Sequence, residues 1–70
     1  MTEVKSPLSG NIIDVLVSVG EDVSEDQELI ILEAMKMENP IYSPAAGKVK
    51  EIKVEVGGKV ERDDLLLTIE

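Results

Sequence analysis

The sequence predicts an all-β fold: a flattened β-sandwich or barrel of about eight short strands, in two halves related by an approximate two-fold axis. Three observations predict it. The apolar residues are mostly Val, Ile and Leu, with no Phe or Trp and Tyr42 as the single aromatic, so a core must be built from branched aliphatics that suit pleated strands. The chain repeats itself without a gap at an offset of 37 residues, 6–33 against 43–70. Within the second copy Ile52, Val54 and Val56 alternate with Lys53 and Glu55, the pattern of a strand with one wet face.

Ten of the 28 aligned pairs are identical, and they fall at turn and core positions, so each copy is read element by element in the same way. A turn at Ser-Pro-x-x-Gly opens each copy (Ser6, Pro7, Gly10; Ser43, Pro44, Gly47). A strand follows through Val15, Val17 and Val19, or through Ile52, Val54 and Val56, up to a glycine turn at Gly20 or Gly57. Ile12 is out of parity with its strand, as Val49 is with the other, and a β-bulge near Asp14 and near Glu51 explains both slips. A short strand at Val23 or Val60 and a final apolar strand around Leu29 or Leu66 complete the copy. Two like halves can bury their apolar faces only against each other, so residues 1–70 are expected to form one unit with no separate catalytic domain. The copies differ where Ile13 and Leu16 stand in place of Lys50 and Lys53. If those lysines point to water, Ile13 and Leu16 form a small exposed apolar patch, a candidate docking surface.

Residues 34–42 lie outside both copies, and chemistry is sought there first. Residues 32–38 are rich in helix formers, and propensity alone gives a helical turn. The strand-like flanks, Pro40 and the repeat symmetry argue instead for a hairpin with Met35 and Lys36 at its tip. Such turns usually recruit Asn or Gly to tolerate positive φ, so Met-Lys is expected to be mildly strained.

Composition excludes much else. With neither Cys nor His there is no thiolate or imidazole ligand and no usual general base, so an enzyme and a metal site are not expected. Seven basic against 15 acidic residues give a net charge of −8, which argues against nucleic acid or an anionic membrane as partner. The start, Met-Thr-Glu-Val-Lys, has no apolar signal region, and runs such as residues 29–32 are too short to span a bilayer. A monomer in the cytoplasm is the default expectation.

Residues 33–39 read EAMKMEN, and the AMKM core resembles the attachment motif of biotinyl domains, biotin carboxyl carriers of the biotin/lipoyl attachment family. The resemblance covers nearly the whole chain: the Ser-Pro-x-x-Gly opening, the paired Val-Gly turns, the Asp-Gln-Glu-Leu-Ile-Ile-Leu approach and the closing strand. It implies the eight-stranded β-sandwich of that family and covalent biotin in amide linkage on Lys36. It also implies partners: a biotin protein ligase that makes the linkage, and carboxylase and carboxyltransferase or decarboxylase subunits between which a carboxyl group is carried. Residues 20–29 are too few for the protruding loop of many bacterial acetyl-CoA carboxylase carriers. Met1 stands five residues before the first copy, so the chain is similar to the small stand-alone attachment proteins or to an excised terminal domain of a larger enzyme.

Lysine's reference pKa near 10.4 leaves only about one amine in a thousand neutral at cytoplasmic pH, so attack needs the ligase's help. Carboxylates beside an amine favour its charged form, so Glu33 and Glu38 do not activate Lys36; by resemblance, Glu33 is a candidate for ligase recognition. With Ala34, Met35 and Met37 they make up the motif, and an alternating strand would aim both methionines to one side, away from Lys36. Plain core packing is the alternative for both methionines, but exposed flexible thioethers suit a surface that must fit several partners, and that reading is preferred. A lipoyl carrier is the nearest alternative; its lysine is usually preceded by Asp and followed by Ala, whereas Met occupies both places here. An unmodified structural module is a second alternative, against which the intact motif speaks.

Overall fold

The computed structural model describes residues 1–70, in which eight strands and no helix are formed. They are β1 Thr2–Lys5, β2 Gly10–Val15, β3 Asp22–Val23, β4 Glu28–Ala34, β5 Met37–Tyr42, β6 Gly47–Ile52, β7 Lys59–Val60 and β8 Leu65–Ile69. Two four-stranded antiparallel sheets result, in the orders β1-β8-β6-β3 and β5-β4-β2-β7. The predicted sandwich is therefore present. No helix is long and apolar enough to cross a membrane.

Shifting the numbering by 37 carries β2, β3 and β4 onto β6, β7 and β8, and it also carries β1 onto residues 39–42 of β5. The sequence places residues 34–42 outside the repeat. The structure corrects this: only residues 34–38 lack a counterpart, because residues 2–5 and 39–42 share strand position while sharing no identical residue. Edge strands are free to diverge in this way, since only Val4 and Ile41 of the two segments reach the core.

Each sheet mixes the copies. Its two long inner strands come from one copy and its edge strands from the other. Loops interlock in the same fashion: Gly20 N–H donates to Val49 C=O and Gly57 N–H to Ile12 C=O, each at 2.8 Å. Ser6 N–H reaches Asp64 C=O and Ser43 N–H reaches Gln27 C=O, at 2.9 and 2.8 Å. Both serines are buried, and their hydroxyls donate back to the carbonyls of Leu8 (2.6 Å) and Ala45 (2.5 Å), so a polar side chain in the core is satisfied locally.

Between the sheets lie Ile12, Leu29, Ile30, Leu32, Val49, Leu66, Leu67 and Ile69, all essentially without exposure. Burying each aliphatic side chain contributes roughly 1.5–3 kcal/mol. The expected bulges are present, with register slips between Ile12 and Asp14 and between Val49 and Glu51. The strands after them stop earlier than the alternation implies. Pairing ends at Val15 and Ile52; Val17 and Val54 still pack on the core, but Val19 and Val56 are 63% and 60% exposed at the glycine turns. Alternation reports which way side chains face, and it persists into extended chain that has no partner strand.

Candidate functional site

Strands β4 and β5 form the longest ladder of the fold, from Glu28↔Tyr42 to Ala34↔Met37. Only Met35 and Lys36 remain to turn the chain. Both have positive φ, 56° and 65°, the geometry of a two-residue type I′ turn, which matches the twist of the flanking strands. The helical propensity of residues 32–38 loses because Leu32 and Ala34 are anchored in the core at strand spacing. Elsewhere, positive φ is confined to Gly20 and Gly57 and to Asp26 and Asp63, two symmetric pairs of residue types that tolerate it. The hairpin tip is thus the only place where long side chains are held in this conformation, at about 1–2 kcal/mol each.

The six motif residues come together at this tip. Ala34 is buried and roots the turn, while Met35 (86% exposed), Lys36, Met37 (66%), Glu33 and Glu38 are all exposed. Plain core packing of the methionines is thereby ruled out. The alternation argument for their direction does not apply, since Met35 is a turn residue and only Met37 belongs to a strand. Asn39 Nδ2–H donates to Met37 C=O at 3.1 Å and braces the outgoing strand. Glu33 and Glu38 stand directly opposite each other in the ladder, a like-charge pair that costs about 0.2–1 kcal/mol.

Lys36 itself has no ionic partner. The ion pairs of the molecule, Lys53–Glu51 at 2.8 Å and Lys5–Glu3 at 4.0 Å, lie on the other sheet. No three His, Cys, Asp or Glu side chains gather to hold a metal ion. What the tip offers chemically is one primary amine on an exposed residue, committed to no ion pair. Such a group fits amide formation with a carboxylated cofactor.

One residue that supports the site is read from sequence only as the last residue of the Ser-Pro-x-x-Gly turn. Gly10 runs directly beneath β4, where a Cβ would overlap the Glu33 carbonyl oxygen and touch the Leu32 side chain, and Gly47 makes the same approach to Glu70. Its identity in both copies is the available signal; that it reflects backbone contact is visible only in three dimensions.

Residues 2–69 match the family described as "Biotin-requiring enzyme", the biotin/lipoyl family. A biotin carboxyl carrier protein of Streptococcus mutans is 64% identical over 36 residues, 51% of this chain and 28% of that protein. The methylmalonyl-CoA decarboxylase subunit gamma of Veillonella parvula is 53% identical over 38 residues, 54% of this chain and 30% of its own. Among solved structures, urea carboxylase of Kluyveromyces lactis superimposes with a TM-score of 0.93 at 32% identity, covering 99% of this chain and 6% of that one. The matched segments cover less than a third of each of these proteins. With the two-sheet sandwich, the tight turn at residues 35 and 36 and a family match from residue 2 to residue 69, the chain belongs to the biotin/lipoyl family.

Proposed function

We propose that this chain is a biotin carboxyl carrier, not itself a catalyst, with Lys36 as the point of covalent attachment. One observation carries the reading: an exposed lysine without ionic partner, held on a strained two-residue turn between two exposed methionines, in a chain of this family. Bound biotin supplies a ring nitrogen that takes up and gives back a carboxyl group, and the chain's own residues have other tasks. Ala34 and the β4–β5 ladder fix where the tip stands. Lys36 provides the amine and then the flexible part of the arm. Tethering keeps the local concentration of the arm high at each partner site.

The partners in this reading are a biotin protein ligase, which activates the carboxyl group of biotin, and the carboxylase and carboxyltransferase or decarboxylase sites visited afterwards. Residues 1–70 serve as one carrier unit, and its place of work is the cytoplasm, where ATP for the ligase is at hand. Glu33, Met35, Met37 and Glu38 form the contact surface around the amine.

Coexpression with a biotin protein ligase is expected to add one biotinyl mass to the intact chain and to give a streptavidin-positive band. Lys36→Arg should abolish both while leaving the thermal transition in place, since the side chain is exposed. Label retained in that variant would overturn the assignment. Coexpression with a lipoyl ligase tests the alternative: a lipoyl-sized gain without a biotinyl-sized one would replace biotin by lipoate.

A further inference from the structure

The internal symmetry supplies a control for reading the surface, because each sheet's outer face has a counterpart that meets the same folding requirements. Cross-strand partners share a face. Register therefore sets the outer rows of the β5-β4-β2-β7 sheet: Glu38, Glu33 and Asn11 next to the tip, then Pro40, Ile31 and Asp14, then Tyr42 and Glu28. Ile13, in the bulge beside Asp14, and Leu16, one position beyond the core-packed Val15, add to this surface. Ile13, Ile31 and Pro40 are half-buried, while Leu16 and Tyr42 are 43% and 52% exposed.

On the other sheet the corresponding five positions are Lys50, Lys53, Thr68, Glu3 and Lys5. One pair runs the opposite way, Glu28 against Leu65. The charges differ as well. The β1-β8-β6-β3 face sets Lys5, Lys48, Lys50 and Lys53 among its carboxylates, and Lys53 donates to Glu51 at 2.8 Å, holding that carboxyl below its usual range. Asp14 stands where Glu51 does, with Leu16 in the place of Lys53. Along the rows of the β5-β4-β2-β7 face Asp14, Glu28, Glu33 and Glu38 have a single lysine, Lys59 at the edge. Solubility alone would dress both faces alike.

We propose that the outer face of the β5-β4-β2-β7 sheet is the surface on which the biotin protein ligase seats while Lys36 enters its active site. The ligase surface that fits it is apolar at the centre and bordered by Lys and Arg. This rests on the function proposed for Lys36. Three features select that occupant. Tyr42, Pro40 and Ile31 bring the apolar surface up to the Glu33–Glu38 pair beside the tip. An enzyme that holds an activated acyl phosphate gathers cationic side chains about the phosphate, near where the amine must arrive, and these complement the carboxylates. A second copy of this chain would set its own four carboxylates against the same four.

The test uses the symmetry. In Ile13→Lys/Leu16→Lys, each new residue is one the same fold carries at the equivalent position, so a cooperative thermal transition is expected to remain. Steady-state biotinylation by the ligase should lose at least about tenfold in kcat/KM, through KM, and the wild-type KM should rise with salt. The mirror variant Lys50→Ile/Lys53→Leu should keep wild-type kinetics. Equal kinetics for Ile13→Lys/Leu16→Lys and wild type would overturn the docking proposal while leaving Lys36 as the attachment point; a wild-type chain that accepts no biotin would overturn the function itself. Sedimentation is the remaining arm: a dimer dissolved by Ile13→Lys/Leu16→Lys would show that a second copy covers this face, and would also overturn the proposal.

Discussion

Met35 and Lys36 hold the left-handed backbone conformation that the adjoining strands require, and neither residue type favours it. Replacing both with the residues such a turn prefers, Met35→Asn with Lys36→Gly, should relieve about 1 kcal/mol or more and raise the melting temperature by about 4–8 °C, measured by calorimetry. The same double variant should accept no biotin, so stability gained at this turn is function lost. The strain was legible in the sequence, because two long side chains at the centre of a hairpin break a local rule. Exposure of Met35 and Met37 was legible only as a preference, which the structure bears out: thioethers occur in cores and on surfaces alike, and the turn geometry decides between them. Gly10 shows the opposite limit. Its necessity comes from the Glu33 carbonyl, 23 positions away in the chain, and no local pattern encodes such an approach. Gly10→Ala is expected to destabilise the fold by about 2 kcal/mol or more in chemical denaturation, because the obstacle is backbone and cannot swing aside.

Strands and bulges were the most readable elements. Period-two alternation reported the inward side chains, though of its residues only Val15 and Ile52 lie within β2 and β6, and the parity slips at Ile12 and Val49 located the bulges, since one extra residue must reverse every later side chain. Strand ends were harder to read. Val19 and Val56 look like strand residues and lie in open turns, because nothing in the alternation says where the neighbouring strand runs out. Within β8 the hydroxyl of Thr68 is buried without a hydrogen-bond partner, where the symmetric residue of β4 is Ile31. Thr68→Val keeps the shape and removes an unsatisfied group, so it should stabilise the protein by about 1 kcal/mol. A hydroxyl in an aliphatic strand reads as an ordinary β-former, so this defect becomes visible only with the packing.

For the molecule as a whole, the repeat predicted two halves facing each other, and the structure shows them exchanged: each lends its edge strands to the other's sheet. Sequence identity measures resemblance between copies and is silent on whether they stack or interlock. Interlocking makes the halves interdependent. Peptides 1–35 and 36–70 should each show no β-sheet signal alone by circular dichroism, and should regain it together, since every strand pair survives a cut between Met35 and Lys36. A cooperative fold in either peptide alone would refute the interdependence. The two-fold also relates the tip to the place where β1 and β8 begin and end, paired at Thr2 and Ile69. The β4–β5 turn, at the symmetric position, is in effect a splice joining one copy to the next. A splice has a length to span and no packing to satisfy. The one segment that symmetry leaves without instructions is therefore the one whose side chains can be chosen for an outside enzyme.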